Sequence, residues 1–470
     1  MERAAVVLCA GQGTRMRSEI AKVLHELWGQ PMGLWAVKAA MQGGAEKVIA
    51  VVGHQAEKVE EAFRSRVPEI ETVLQSEQKG TGHAVQMAVP ALKEFKGTVL
   101  VLCGDTPCLT GSTLKQLCMA REESNAPVAL ATAMVPDPTG YGRIVRDMLG
   151  RMQRIVEQKD ATPEERQIDE INTGVYAFDA QFLCAHLESL KSENAQGEYY
   201  LTDLVELAAG LIDEEQTLPT LQVPFEEAMG VNNRVQLAEA AQLLRAQILH
   251  YWMQNGVTMC DPATTYIDAG VDLGQDVIIG ANVALRGCTR VASMVSIDNG
   301  CVITNTKIEH GATIHSHTIC ENAQVGANTQ VGPFARLRPG AELQQGSKVG
   351  NFVEMKKAVL GENAKANHLS YIGDAQIGAG SNIGAGTITC NYDGFGKNPT
   401  TLGENVFIGS NSTLVAPIEI GDNAYVAAGS TVNHNVDTDD LAIGRVRQEN
   451  KKGYAAKLRA RFQRRKNKNG

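Results

Sequence analysis

The chain has 470 residues, with 44 Lys and Arg against 53 Asp and Glu, for a formal charge of −9. Hydrophobic residues at 43% and charged residues at 21% are enough for two or three packed cores and exclude a disordered body. Residues 451–470 hold nine Lys/Arg and no acid, which leaves −18 on residues 1–450; such an acidic body repels phosphate backbones, so no nucleic-acid partner is expected.

Residues 1–231 alternate short apolar runs with helical patterns. The runs 4–10, 48–52, 99–102 and 128–134 read as buried parallel strands, and residues 32–43 and 82–92 as helices between them. This is an α/β doubly wound, Rossmann-like domain. Residues 232–254 follow as a linker helix. Leu237, Ala241, Leu244, Ile248 and Trp252 fall on one face, and Asn255-Gly256 ends it.

From residue 255 to 450 the period becomes six. Val325, Val331, Leu337, Leu343, Val349 and Met355 form one series; Ile377 and Ile383, then Leu402, Ile408, Leu414, Ile420, Val426 and Val432, form others. Four residues past the aliphatic comes a small side chain, as at Ala335, Ala341, Ser347, Ala424 and Ser430. Neither helix nor flat strand repeats every six residues, whereas a parallel β-helix does, with one short strand and one corner per hexad. The aliphatic and small positions point inward, and glycine serves corners that need a positive φ. The phase breaks near Lys307, across 360–371 and across 392–401, and these are expected to be protruding loops. The flat lateral faces of such a solenoid invite association, so a homo-oligomer is expected.

No stretch reaches the ~18 uninterrupted apolar residues that suggest a membrane span, and the run 4–10 is too short for a signal segment. The ten cysteines are scattered, several within apolar runs (Cys9, Cys103, Cys118), without a C-x-x-C pair, as reduced core thiols are. The chain is therefore expected in the cytoplasm, without membrane insertion.

Chemistry first appears at Leu8-Cys9-Ala10-Gly11-Gln12-Gly13-Thr14-Arg15, directly after the first strand. A strand entering a glycine-rich turn presents N–H groups to phosphates, and Arg15 and Lys22 add two cations. The loop lacks the G-K-[ST] of a Walker motif and the third glycine of a dinucleotide fingerprint. Cys103-Gly104-Asp105 ends another strand and puts a carboxylate where Mg²⁺ is commonly held beside a phosphate loop.

The loop resembles that of sugar-nucleotide pyrophosphorylases. Asp-Pro-Thr-Gly-Tyr-Gly-Arg (137–143), Val-Glu-Gln-Lys-Asp (156–160), Glu-Ile-Asn-Thr-Gly (170–174), Gln-Gly-Glu-Tyr-Tyr-Leu-Thr-Asp (196–203) and Gly-Val-Asn-Asn-Arg (230–234) sharpen the likeness. With the hexapeptide half, essentially the whole chain resembles the family of bifunctional N-acetylglucosamine-1-phosphate uridylyltransferase / glucosamine-1-phosphate N-acetyltransferases, whose product feeds peptidoglycan and lipopolysaccharide precursors. The resemblance implies that Leu8, Cys9, Ala10, Gly11, Gln75, Gly80, Thr81, Cys103, Gly104, Gly142, Glu157 and Asn172 bind UTP or the sugar. It also implies that Arg15 and Lys22 neutralise the triphosphate and that Asp105 and Asn232 hold Mg²⁺. Cys9 and Ala21 stand where the family often has alanine and proline.

In the solenoid, the resemblance implies that His368 is the general base for the amine of glucosamine-1-phosphate. Glu354, 14 residues earlier on coils of about 18 residues, is expected on the neighbouring rung, orienting and polarising His368. Arg338 and Lys356 would hold the sugar phosphate, Tyr371 and Asn382 the sugar, and the Ala385 N–H the thioester carbonyl. Asn391, Tyr392, Ser410, Ala428 and Arg445 would line the acetyl-CoA groove, with Gly444 where the family often has serine. The solenoid is implied to be left-handed and a homotrimer. For the basic tail just past Arg445, contact with coenzyme phosphates competes with a solvated segment.

Three alternatives are weaker. His315-Ser316-His317 with Cys320 offers zinc-ligand types, but no second ligand pair follows, and Cys301 falls at an inward position. A pyrophosphorylase with a merely oligomerising solenoid has no use for Lys356, His368 and Tyr371 in one region. A non-catalytic assembly protein has no use for Arg15, Lys22, Asp105 and Asn232 together.

Overall fold

The structure, a computed structural model, describes residues 1–213 and 215–467. It divides into two compact units, Met1–Trp252 with Ile267–Gly270, and the remainder from Met253 onward.

The first unit is built on strands β1 (Glu2–Cys9), β2 (Lys47–Val52), β3 (Glu71–Leu74), β4 (Gly97–Cys103), β5 (Val128–Met134), β6 (Arg143–Arg146), β7 (Met152–Val156), β8 (Glu170–Asp179) and β9 (Thr220–Gln222). Their order is β9-β5-β8-β4-β1-β2-β3, with the β6–β7 hairpin attached to β8. The four apolar runs are β1, β2, β4 and β5. Strand β8 enters antiparallel between β4 and β5. Its first half is polar (Glu170, Asn172, Thr173) and its register shifts between Asn172 and Tyr176, so it shows no continuous apolar run.

Strand alternation sends Ala5 and Val7 to one face, and Ala4 and Val6 to the other. Helices α1 (Met32–Gln42) and α3 (Gly111–Ser124) cover the first face through Leu34, Val37, Leu114 and Leu117. Helix α2 (Thr81–Leu92) covers the second through Val85, Ala88 and Leu92. The expected linker is helix α4 (Arg234–Gln254), and its first half is core: Ala240 and Leu244 are buried with Leu27, Met32, Cys108, Met229 and Val231.

The second unit is a parallel β-helix. Leu285 faces Ile303 and Ile303 faces Cys320, so a coil is 18 or 17 residues. Every aliphatic residue of the six-residue series is buried, and so are the small residues four positions on. Glycine shares the left-handed corners with asparagine: Asn282, Asn305, Asn328, Asn363, Asn405, Asn411 and Asn423 have φ between 47° and 57°. Asparagine tolerates this region because its short polar side chain bonds locally. Gly311, Gly346, Gly380 and Gly386 lie against the asparagine one coil on, and a Cβ there would come within 2.4–2.5 Å of its Oδ1.

Two of the three expected loops are absent from their places. Near Lys307 and across 360–371 the coil is one residue short and stays paired: Val291 faces Ile308, and Glu354 faces Tyr371, each 17 residues on. A single deletion is absorbed at a corner, whereas the sequence phase registers it like an insertion. At the third place Ala375 faces Thr400, 25 residues on, and residues 391–399 leave the prism as a true loop.

The basic tail forms helix α5 (Tyr454–Lys466) without a buried side chain; residues 468–470 of the tail lie outside the described residues. Among the described residues no helix is long and apolar enough to cross a membrane.

Candidate active sites

Leu8 of β1 faces Cys103 of β4, so the glycine-rich loop and the Gly104-Asp105 turn open at the same end of the parallel strands. Gly13 has φ +64°, and a Cβ there would lie 2.6 Å from Lys22 Cβ; glycine lets Lys22 close over the loop. A Cβ on Gly11 would meet nothing within 4 Å, so that side of the loop is open to a ligand. Ala21 donates its N–H to Gln55 Oε1 at 3.4 Å, a bond that proline in its place would forfeit.

Four side chains converge here. Lys22 Nζ is ion-paired with Asp105 and donates to Asn232 Oδ1 at 2.9 Å; Arg15 Nη2 donates to the same oxygen at 2.8 Å. Asn232 reaches the site because the Val231 N–H donates to the Asp105 carbonyl at 2.8 Å, while its own N–H is held by Gln236 Oε1 at 2.8 Å. Asp105 and Asn232 thus aim hard oxygens at a point now taken by cationic nitrogens, and that donor set fits Mg²⁺. The Cys9 thiol is pushed up by burial, then by Asp105 and Cys103; that of Cys103 is pushed up to about 12, chiefly by burial. Both stay protonated, and Cys9 packs its sulfur under Gly104.

Further along the same sheet edge, Gly142 accepts the Asn172 N–H at 2.8 Å, and a Cβ on Gly142 would lie 3.4 Å from Glu157 Oε1. Tyr176, which the sequence did not single out, exchanges hydrogen bonds with the Asn172 amide at 2.7 and 3.0 Å. The Glu157 carboxyl is raised by desolvation and then by Asp160 and Asp203. Gln75 is buried; its Nε2 donates to the Gly80 carbonyl at 3.3 Å and lies 3.0 Å from His83 Nδ1. Thr81 Oγ1 accepts the Leu201 N–H at 3.2 Å.

On the β-helix the residues assigned to the coenzyme lie along one corner. Asn351 faces His368; Gly386 N–H bonds the His368 carbonyl, Asn411 N–H that of Ala385, and Gly429 N–H that of Ser410. With coils about 4.8 Å apart, His368, Ala385, Ser410 and Ala428 form a row, and a Cβ on Gly429 would lie 4.0 Å from Arg445 Cδ. A Cβ on Gly444 would come 2.2 Å from the Thr431 carbonyl oxygen, so this backbone has no room for a serine there.

The pairing of Glu354 with His368 is corrected. Coils of 17 residues put Glu354 opposite Tyr371, and its carboxylate is salt-bridged to Arg338 at 2.8 Å. The partner of His368 is Asn351, whose Oδ1 lies 2.9 Å from Nδ1. An amide oxygen only accepts, so Nδ1 carries the proton and Nε2 is left bare. Spacing arithmetic with an 18-residue coil missed this by one residue.

Lys356 faces Gly373 on the next coil, and the Tyr371 ring lies over Gly373, where a Cβ would meet its hydroxyl at 2.5 Å. Asn391 donates to Tyr371 Oη at 3.5 Å and to Asp374 Oδ2 at 2.5 Å. Asn382 lies on the sheet of His368, between Lys365 and Phe407. Tyr392 sits under Lys397 Nζ, 4.5 Å from the ring centroid, in the 391–399 loop. His315 pairs with Asp298 at 3.2 Å, His317 stacks on Phe334, and Cys301 and Cys320 are buried inward.

The comparisons agree with this division. Residues 4–252 match the nucleotidyl transferase family, residues 399–434 the bacterial transferase hexapeptide repeat, and residues 263–286 the hexapeptide repeat of succinyl-transferase. Fold and sites thus define a nucleotidyl transferase joined to a left-handed β-helix transferase. Proteins named "Bifunctional protein GlmU" align almost end to end. Those from Trichlorobacter lovleyi and Geotalea uraniireducens are 48% identical over 97% of this chain and 98% and 99% of their own. That from Anaeromyxobacter sp. strain K is 50% identical over 98% of this chain and 94% of its own. A solved UDP-glucose pyrophosphorylase with UDP-glucose covers 53% of this chain and 100% of its own, at 19% identity and a TM-score of 0.44. The chain belongs to the bifunctional GlmU family, enzymes of both uridylyl and acetyl transfer in UDP-N-acetylglucosamine synthesis.

Proposed function

We propose that the two transfers are divided between the two units, with acetyl transfer to glucosamine-1-phosphate on the β-helix and uridylyl transfer to N-acetylglucosamine-1-phosphate at the glycine-rich loop. In the first, the amine nitrogen attacks the acetyl-CoA carbonyl carbon, the C–S bond breaks and the CoA thiolate leaves. The amine proton passes to His368 Nε2. Arg338 and Lys356 hold the sugar phosphate, Tyr371 and Asn382 the sugar, and Ala385 N–H the developing oxyanion. Glu354 fixes the Arg338 guanidinium. Asn391, Tyr392, Ser410, Ala428 and Arg445 follow the coenzyme arm along the corner row. The observation that carries this reading is that row, with His368 tautomerically fixed at its end.

In the second transfer, a phosphate oxygen of the sugar attacks the α-phosphorus of UTP, and the α–β bridging bond breaks to release pyrophosphate. Leu8–Gly11, Gly104 and Cys103 bring backbone close to the nucleotide, and Arg15 and Lys22 offset charge on the phosphates. Gln75, Gly80 and Thr81 meet the nucleobase; Gly142, Glu157 and Asn172 meet the sugar. Mg²⁺ held by Asp105 and Asn232 would neutralise phosphate charge. In that complex Lys22 exchanges Asp105 for phosphate oxygens.

The β-helix is a homotrimer on this reading. Phe334, Phe352 and Leu369 are 49%, 56% and 62% exposed along one corner, next to Asn351 and His368, and Phe334 stacks on Phe352 at 5.5 Å. A stacked apolar ridge of this kind is covered in a stable assembly. UTP and acetyl-CoA as substrates place the enzyme in the cytoplasm.

Exchanging His368 for alanine tests the division. Acetyl transfer should fall at least 100-fold while UDP-N-acetylglucosamine formation from N-acetylglucosamine-1-phosphate and UTP stays within about twofold. Equal loss of both in a folded trimer would overturn it.

A further inference from the structure

We propose that His83 is a positioning residue that makes the nucleotidyl site selective for uracil over cytosine by locking the orientation of the Gln75 amide. The inference rests on the assignment of Gln75 to the nucleobase. Gln75 is 4% exposed at the end of β3, where its N–H bonds the Val52 carbonyl at 2.8 Å. Its Nε2 has two hydrogens and two acceptors: the Gly80 carbonyl at 3.3 Å and His83 Nδ1 at 3.0 Å. For His83 Nδ1 to accept, the neutral ring carries its proton on Nε2. Both amide hydrogens are then committed, and the amide can offer a base only its oxygen.

The chemistry of the two pyrimidines makes that a filter. Uracil presents N3–H, a donor that an amide oxygen accepts. Cytosine presents a bare N3, which faces that oxygen lone pair to lone pair. A buried polar group built to pair with one partner rejects the analogue that leaves it unpaired. Without an acceptor at position 83 the Gln75 amide is free to turn over, offer Nε2–H and accept cytosine N3.

The scaffold favours this arrangement. Gly80, at φ +105°, turns the chain into α2, so Gly80 carbonyl and His83, in the first turn, approach Gln75 from one side. The His83 ring is 6.4 Å from that of Tyr199, whose carbonyl receives the Gly82 N–H at 2.8 Å and whose N–H bonds the Lys79 carbonyl at 2.8 Å. The segment bearing His83 is thus tied down on both sides.

The test compares kcat/KM for UTP and CTP with N-acetylglucosamine-1-phosphate in the full-length enzyme, with acetyl transfer by the same chains as the control for folding. His83→Phe keeps a ring and removes the acceptor; the UTP/CTP ratio should fall at least tenfold, through a higher KM for UTP and a gain with CTP. His83→Asn, whose Oδ1 stands where Nδ1 was, should restore most of the ratio. Gln75→Leu should abolish discrimination. A ratio that falls in Gln75→Leu but holds in His83→Phe overturns the lock and leaves the nucleobase assignment standing; a ratio that holds in both overturns the two together. A fall in His83→Phe that His83→Asn does not repair overturns the acceptor role in favour of packing.

Discussion

Two hydrogen bonds define what single residues contribute to each site, and both act by fixing a neighbour. Asn351 holds the proton of His368 on Nδ1. Asn351→Leu should therefore lower kcat for acetyl transfer about 10–100-fold with little change in the acetyl-CoA KM, because a ring free to adopt either tautomer is often protonated on the wrong nitrogen. Steady-state kinetics on both substrates separate these quantities, and a pure KM effect would contradict the role. Glu157 shows the opposite economy, a buried carboxylate kept for binding. Its carboxyl is raised above the ordinary 4.5 by burial and the acids around it. The native state then binds more protons than the unfolded chain just above pH 4.5, so this group lowers stability as pH rises through that window. Glu157→Gln should raise the melting temperature of the first unit at pH 7, lose that advantage near pH 4, and weaken sugar-phosphate binding. Melts at the two pH values with KM measurements check the sign. Lys22, Asp105 and Asn232 were recognisable in the sequence as types that serve phosphate chemistry. Asn351 and His83 were not, since each works through another side chain and only coil length or helix phase reveals the partner.

At the level of elements, the β-helix was the most legible part of the chain. Its repeat buries one aliphatic residue every six positions, and the structure buries every member of the series. The signal reports inward positions but not which way a phase error arises, so two one-residue deletions read like the 391–399 insertion. The α/β half was legible where strands are apolar on both faces. Strand β8 escaped because half of it carries site residues in place of core. The corners carry a further rule, glycine on one coil beneath asparagine on the next. Gly311 has φ +70°, and a Cβ would come 2.5 Å from Asn328 Oδ1. Gly311→Ala should cost about 1–2 kcal/mol for the left-handed backbone alone, plus the clash with Asn328. Asn328→Gly in the same chain should recover the second part and not the first. A double-mutant cycle measured by thermal unfolding resolves the two, and strict additivity would refute the stacking.

For the whole molecule, the question is where one catalytic unit can be cut from the other. Sequence pattern ends the α/β half at residue 231 and treats 232–254 as a bridge, because an amphipathic helix after the last site motif looks like a spacer. Packing gives a different boundary. Ala240 and Leu244 of α4 are buried with Leu27, Met32, Met229 and Val231, and the Trp28 indole N–H donates to the Ala241 carbonyl at 2.7 Å. Removing α4 would expose that cluster, and re-exposing one leucine alone costs about 2–3 kcal/mol, a large share of the 5–15 kcal/mol that typically holds a domain together. The cluster also supports the segment that delivers Asn232 to Lys22 and Arg15, since Gln236 of α4 holds the Asn232 N–H. A chain of residues 1–254 should therefore fold, form UDP-N-acetylglucosamine from N-acetylglucosamine-1-phosphate and UTP, lack acetyl transfer, and be a monomer by light scattering. A chain of residues 1–232 should aggregate or lose most uridylyl transfer. Equal activity and stability in the two would show that α4 is a spacer after all, and a trimeric 1–254 would place the oligomer contacts outside the β-helix.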